Sequence, residues 1–208
     1  KEDGSVVTWG NNTDGSDSRS VSDGLSSGVK EIFSNGNSFV ALKEDGSVVT
    51  WGDPESGGDS SSVSDELSSG VREIFSNDWN VYAALKEDGS VVTWGDPHSG
   101  GDSSSVSDEL SSGVKEIVPS GEFTFAALKE DGSVVTWGGG VDNSSSVSSQ
   151  LSSGVKEIFT NGGDGYAALK EDGSVVTWGN NTDGSDSRSV SDGLSSGVKE
   201  IFSNGNSF

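Results

Sequence analysis

Lys43-Glu44-Asp45-Gly46-Ser47-Val48-Val49-Thr50-Trp51-Gly52 recurs letter for letter at five places, beginning at Lys1, Lys43, Lys86, Lys129 and Lys170. Glu-Asp-Gly followed by a β-branched run that ends in Trp-Gly reads as a tight turn and the strand leaving it. The glycine is available for a positive φ. The run before the lysine, Phe39-Val40-Ala41-Leu42, reads as the incoming strand. Alternation sets Val48 and Thr50 against Val49 and Trp51, and Val40 and Leu42 against Phe39 and Ala41. Both faces of the hairpin therefore carry apolar side chains. A sheet that is apolar on both faces has to be covered on both, and the sequence offers no long amphipathic helix as cover. What remains is the next copy of the same sheet, stacked face to face.

The tryptophans of the motif, Trp9, Trp51, Trp94, Trp137 and Trp178, lie 42, 43, 43 and 41 residues apart. Such periods belong to propellers and solenoids. The expected fold class is all-β, with tandem small antiparallel sheets (blades) stacked as a β-propeller or as an open superhelix of blades. Residues 1–208 read as a single array of five repeats of ~42 residues, with core hairpins at 1–10, 43–52, 86–95, 129–138 and 170–179. Residues 1–39 and 170–208 are identical. Neither end carries a polar capping unit, and the expectation is a window of a longer repeat protein.

Within one repeat, Gly57-Gly58-Asp59-Ser60-Ser61-Ser62 reads as loop. Val63–Leu67 reads as one helical turn, with Ser64 as its cap and Gly70 after its end. Val71-Arg72-Glu73-Ile74-Phe75 reads as a strand, Ser76-Asn77-Asp78 as a turn, and Val81–Lys86 and Ser90–Trp94 as the two hairpin strands. A short fourth strand is expected near Ser61–Val63. Ala83-Ala84, Ala126-Ala127 and Ala167-Ala168 are small where sheets must approach closely.

Only 29% of the residues are hydrophobic and 31 are glycine, which in an aperiodic chain would argue for disorder. Here the apolar residues cluster at a fixed period, which argues for an ordered array. The net charge of −22, from 34 acidic against 12 basic side chains, is spread over every repeat. With no basic stripe, phosphate-driven binding of nucleic acid and attraction to an anionic membrane are both disfavoured. No apolar run approaches the ~18–20 residues that a spanning helix needs. The charge favours cations or a basic protein partner. The chain has no cysteine, so it forms neither disulfides nor thiolate metal sites.

The sequence marks no catalytic or cofactor-binding residue. His98, the sole histidine, stands in Asp96-Pro97-His98-Ser99 where the preceding repeat has Glu55. A histidine-based triad would have to be built there, and nothing else marks one. The carboxylate pairs Glu44-Asp45, Asp65-Glu66 and Asp108-Glu109 recur in turns and read as solvated. Acid–base catalysis needs two carboxylates in unlike surroundings. The metal reading is calcium. Asn11-Asn12-Thr13-Asp14-Gly15-Ser16-Asp17 spaces oxygen ligands closely around a glycine, without the full EF-hand spacing. The candidates are Asp14 and Asp17, with Asp183 and Asp186 in the identical copy. Asn11, Asn143 and Asn180 begin Asn-x-Ser/Thr triplets, a weak glycosylation signal. The repeats differ most after Trp-Gly and before the Ala-Leu strand, as in Asp78-Trp79-Asn80, Glu122-Phe123-Thr124 and Gly162-Gly163-Asp164. Trp79 and Phe123 read there as blade-packing residues or as exposed anchors.

The stretch Phe39–Gly52 resembles the signature of regulator-of-chromosome-condensation-type repeats, which carry an Ala-Leu-x-x-Asp-Gly-x-Val-x-x-Trp-Gly hairpin. Those repeats go on with a Gly-containing loop and a Val-x-x-Ile strand, places taken here by Gly57-Gly58-Asp59 and Val71-Arg72-Glu73-Ile74. The resemblance covers the whole chain. It implies a β-propeller, commonly of seven four-stranded blades. The chain departs in its shorter repeats, in its five units, and in having Asn37-Ser38-Phe39 or Asp164-Gly165-Tyr166 in place of a Gly-x-His-Thr lead-in. The family includes nucleotide-exchange factors for small GTPases, chromatin binders and bacterial surface proteins. Exchange activity lies in projecting loops, and no such insertion is present.

The functional expectation is a non-enzymatic structural or adhesive repeat protein, extracellular or at the cell surface. It would associate with itself or with neighbouring repeats, as in a fibre or filament. The alternative is a closed β-propeller that binds a protein, for example a small GTPase or a basic protein. No cofactor is expected apart from calcium. Trp51→Ala is expected to remove about 3–5 kcal/mol of unfolding free energy in a urea titration, and a loss under about 1 kcal/mol would place the indole at the surface.

Overall fold

The computed structural model describes residues 1–10, 17–77, 79–121, 123–139, 144–163, 165–180 and 185–208. The chain divides into two compact units, Lys1–Asp102 and Ser103–Phe208. The first holds sheet A, made of β1 (Val29–Ser34), β2 (Ser38–Lys43) and β3 (Val48–Gly52), and sheet B, made of β4 (Val71–Ser76), β5 (Val81–Lys86) and β6 (Val91–Gly95). The second holds sheet C, made of β7 (Val114–Pro119), β8 (Thr124–Lys129) and β9 (Val134–Gly138), and sheet D, made of β10 (Val155–Thr160), β11 (Gly165–Lys170) and β12 (Val175–Gly179). One helix, α1 (Ser144–Leu151), lies between β9 and β10. Every sheet is an antiparallel meander with its second strand in the middle. The fold is thus all-β, in tandem small antiparallel sheets.

The copies beginning at Lys43, Lys86, Lys129 and Lys170 form the turn and third strand as their composition dictates, whereas residues 1–10 form no strand. Gly46 takes φ 76°. The Asp45 carboxylate accepts the Ser47 amide at 3.0 Å and the Ser47 hydroxyl at 2.6 Å, a local bond set that pins the turn. The register then places Val40 opposite Thr50, Ala41 opposite Val49 and Leu42 opposite Val48.

The first strand of each sheet carries a bulge. Val71 pairs with Lys86 and Glu73 with Leu85, so Arg72 is the extra residue; the same shift recurs in β1, β7 and β10. The bulge puts Val71 and Ile74 on one buried face and leaves Arg72 and Glu73 exposed. This is the physical reason for a Val-x-x-Ile spacing in a strand, where plain alternation would demand even steps.

Both faces of sheet A are covered. In the first unit, Val40 and Leu42 of sheet A pack against Ile74, Tyr82, Ala84 and Trp94 of sheet B. The opposite face of sheet A, with Ala41 and Trp51, packs on Leu25. In the second unit, Ala126 and Leu128 of sheet C meet Tyr166, Ala168 and Trp178 of sheet D. Each indole also stacks on the ring across the ladder. Phe39–Trp51 and Phe125–Trp137 have centroids 5.2 Å apart, Tyr82–Trp94 5.4 Å and Tyr166–Trp178 5.1 Å, distances that add to the burial energy.

Successive repeats are joined through glycine backbone. The amide of Val71, at the start of sheet B, donates to the Gly46 carbonyl in the hairpin turn of sheet A at 2.9 Å. Val155 donates to Gly132 in the same way within the second unit, and Val29 to Gly4 within the first. A Cβ on Gly46 would lie 2.8 Å from the Gly70 amide nitrogen, and one on Gly132 2.9 Å from that of Gly154.

Two local expectations are corrected. The segment near Ser61–Val63 is a 3-10 turn, not a fourth strand. The Asp59 carboxylate captures the Ser61 amide at 2.9 Å, which removes a donor that a ladder would need. Ser64 caps nothing: it follows that turn in helical conformation, and a second 3-10 turn, Glu66–Ser68, comes after it. Gly70 does adopt the left-handed conformation, φ 72°.

Two glycine substitutions separate strain from contact. Gly70→Ala meets only the Lys86 side chain, at 3.7 Å, and is expected to cost the left-handed penalty of about 1 kcal/mol. Gly46→Ala adds a backbone clash and is expected to cost at least about 1 kcal/mol more. Equal losses for the two in thermal or urea unfolding would refute a joint between glycines.

Candidate functional site

In each meander, the turn between the first and second strands lies at the same end of the blade as the loop that follows the third. An asparagine ties the two together. Asn35 donates through Nδ2 to the Ser56 carbonyl at 2.7 Å, and its Oδ1 accepts the Ser38 amide at 3.1 Å. Asn77 repeats the pattern. Its Nδ2 donates to the Ser99 carbonyl at 3.0 Å, and its Oδ1 accepts the amides of Trp79 and Val81 at 3.1 and 3.3 Å. In the second unit the Asn161 Oδ1 accepts the amides of Gly163 and Gly165 at 3.1 and 3.2 Å. Ser120 takes this place in sheet C, where its hydroxyl accepts the Thr124 amide at 3.1 Å. In sheets A and B one short side chain thus accepts amides of its turn and anchors the neighbouring loop.

The loops themselves are built to be held. Asp53 caps the 3-10 turn Pro54–Ser56, and Asp96 caps Pro97–Ser99; each accepts the amide two residues on and the serine hydroxyl three residues on. Gly57 follows in the left-handed region, with its α-carbon so close that a Cβ would lie 2.7 Å from the Tyr82 ring. The Gly57 carbonyl receives Trp94 Nε1 at 3.0 Å. Tyr82 donates its hydroxyl to the Ser38 carbonyl at 2.9 Å. Burial pushes this phenol up to about 12, so it stays protonated at neutral pH and acts as a structural donor.

What this frame displays is Trp79, 47% exposed. Asn80 beside it has φ 68°, a left-handed conformation that asparagine tolerates better than most residues. Asn37 donates through Nδ2 to the Asn80 Oδ1 at 3.1 Å, which links the turn ends of sheets A and B. Phe123, at the related place in the second unit, is half-buried.

The remaining sequence candidates do not converge. His98 is exposed, and its amide serves the Asp96 cap. The doublets Glu44-Asp45, Asp65-Glu66 and Asp108-Glu109 are all exposed. Of the calcium candidates, Asp14 and Asp183 lie outside the described residues, as do Asn11, Asn143, Asp78, Glu122 and Asp164. Asp17 pairs with Arg19 at 2.5 Å, and Asp186 with Arg188 at 2.6 Å. A cation at either carboxylate would have to displace a guanidinium. Among the described residues no three His, Asp or Glu side chains gather as a metal-binding group. Asn180 is half-buried, and its carbonyl accepts the Ser185 hydroxyl at 2.5 Å. The asparagine clamp was not anticipated from the sequence. Its signal is the polar residue after each first strand, Asn35, Asn77, Ser120 and Asn161, easily taken for an ordinary turn former.

No protein-family model and no curated protein matches the chain. Among solved structures it is similar to Prp20p from Saccharomyces cerevisiae, studied for its binding to Gsp1p and histones, at 20% identity over 74% of this chain and 45% of that one, TM-score 0.47. It is similar to yeast RCC1 (Prp20) bound to Kap60, at 16% identity over 73% of this chain and 43% of that one, TM-score 0.45. It is also similar to the ectodomain of the receptor kinase CR4 from Physcomitrella patens, at 16% identity over 73% of this chain and 40% of that one, TM-score 0.46. The chain spans less than half the length of each.

The Arg19 guanidinium and amide hold the Asp17 carboxyl at about 2, and Arg188 does the same for Asp186. A depressed folded value means that the pair's contribution is present above the unfolded carboxyl value near 3.9 and is lost as pH falls from there through about 2. Carboxyl carbon shifts are expected to show Asp17 titrating near 2. In Arg19→Gln the midpoint should return toward the unfolded value, and an unchanged midpoint would show that the guanidinium is not its cause.

Proposed function

We propose that this chain is a non-catalytic, protein-binding array of blades, and that the turns between first and second strands are its contact elements. The observation that carries this reading is the half-exposed indole of Trp79 on a turn where Asn77 holds the amides of Trp79 and Val81. A large, rigid aromatic on a preorganised turn loses little entropy on binding. The turns vary in sequence while the frame around them repeats, so different blades present different side chains at the same place. The net charge of −22 supports a basic protein as partner.

A second reading, the structural or adhesive array at a cell surface, is favoured by one different observation. The joint between a hairpin glycine and the next valine amide recurs with the same residues in both units, so that repeats of this kind can follow one another in a fibre.

Affinity capture from the source cells on the immobilised chain, with the captured proteins identified by mass spectrometry, tests the first reading. A defined set of proteins is expected to be retained by the unaltered chain and by Glu87→Gln, at the opposite end of sheet B. Trp79→Ala is expected to lose that set, because aromatic anchors of this kind carry ~2 kcal/mol or more of binding energy. Equal capture by Trp79→Ala would sink it.

A further inference from the structure

The ten-residue stretch is the same in every repeat, and the glycine joint recurs with the same residues, so neither can tell one neighbouring sheet from another. The opening residue of the second strand does vary. It is Ser38, Val81, Thr124 or Gly165, and all four are buried. The ring that follows it varies as well, from Phe39 to Tyr82, Phe125 and Tyr166.

Within each unit the opening residue of one sheet meets the ring of the next. The Tyr82 hydroxyl donates to the Ser38 carbonyl at 2.9 Å and lies 3.2 Å from the Ser38 hydroxyl. Tyr166 repeats both contacts on Thr124, at 3.0 Å to the carbonyl and 3.2 Å to Oγ1. A phenol oxygen that gives its proton to a carbonyl still has lone pairs to fill, and the side-chain hydroxyl is placed to donate to them. The sequence carries the same association through the chain. One repeat after Ser38 and Thr124, which have a hydroxyl, the ring is Tyr82 and Tyr166. One repeat after Val81 and Gly165, which have none, it is Phe125 and Phe208.

We propose that these two positions form a matched pair that selects which sheet docks on which. A sheet with tyrosine on its second strand takes as neighbour a sheet whose second strand opens with Ser or Thr. A sheet with phenylalanine there takes one that opens without a hydroxyl. The physical basis is that both partners are buried. Valine in place of Thr124 would set a methyl group where Oγ1 stands, 3.2 Å from the phenol oxygen, and would leave that oxygen's lone pairs unfilled away from water. Phenylalanine in place of Tyr166 would deprive the Thr124 carbonyl of its phenol donor. Specificity is a difference of affinities, and in repeats otherwise so alike, docking on the wrong sheet is the characteristic error. The matched pair thus sets the order in which sheets follow one another. The inference does not depend on the turn-end reading.

A double-mutant cycle on the full chain tests it. The Thr124–Tyr166 contact is the one to use, because the Ser38 hydroxyl also serves Asn35 and the Ser56 carbonyl. The readout is the opening equilibrium constant of the β8 and β11 amides, measured by hydrogen exchange of the folded chain. Tyr166→Phe is expected to raise that constant at least about threefold in the unaltered chain. In a Thr124→Ser chain, which keeps the hydroxyl, it should do the same. In a Thr124→Val chain the sign should reverse, and Tyr166→Phe should lower the constant. If Thr124→Val alone does not fold, the double variant is expected to fold. A rise or no change on adding Tyr166→Phe to Thr124→Val, a Thr124→Ser chain in which Tyr166→Phe has no effect, or a double variant that does not fold would overturn the proposal.

Discussion

The structure depends on a backbone contact between two glycines. The Gly46 carbonyl takes the Val71 amide while the Gly46 α-carbon sits against the Gly70 backbone. A side chain at Gly46 could not keep this spacing, because its Cβ would lie 2.8 Å from the Gly70 amide nitrogen. The contact fixes where each sheet begins relative to the turn before it. That in turn decides which apolar face meets which. Val40 and Leu42 then reach Tyr82, Ala84 and Trp94. A small sheet with two apolar faces is not stable alone; the joint determines that its partner arrives in register.

The aromatic ladder does the complementary task inside each sheet. A ring on the second strand stacks on the indole of the third, and in sheets B and D that ring is a tyrosine. Its hydroxyl reaches across to the backbone of the preceding sheet: Tyr82 to Ser38, Tyr166 to Thr124. One residue thus contributes area, ring stacking and a polar tether at the sheet-to-sheet contact. The buried phenol is fully bonded, as a polar group at that depth must be.

Much of this is legible in the sequence, and the gaps have physical reasons. The hairpin, its register and its two apolar faces follow from local alternation and from Asp45-Gly46. The turn role of Gly46 is likewise local. Its role as a joint is not, because the contact is with Gly70 in the lead-in to the next repeat, and a glycine's reason cannot be read from its own neighbours. The bulge at Arg72 hides for a similar cause: Val71 and Ile74 lie three apart, a spacing that shares a helix face but not a strand face until the bulged pairing is known. The stretch around Ser61, expected as a short strand, is a 3-10 turn. Asp59 had already claimed an amide there, and short Asx bonds compete with ladders wherever Ser and Asp are dense. The clamp residue Asn77 reads as a turn former, which it is; what the sequence could not show is the carbonyl at the far side of the loop.

The acidity of the chain has a spatial order that composition conceals. The hairpin turns carry Glu-Asp, and the 3-10 turns carry Asp-Glu. Lys86 joins these two elements through its Nζ and the Glu66 carbonyl at 2.6 Å, as Lys129 does with Glu109 within the second unit. Carboxylates therefore gather at one end of the blade. The opposite end is built from asparagine, serine and glycine around Trp79, together with the capping carboxylates of Asp53 and Asp96 and the exposed Glu55. Neighbouring like charges repel and are screened only over ~8–10 Å in physiological salt, so the acidic end resists close approach by its own kind. The turn end has its Asp53 and Asp96 carboxylates engaged as caps. Its asparagine-held amides also leave it little to reorganise on contact. Charge thus decides where this molecule stays solvated, and the neutral clamp decides where it can present a fixed surface.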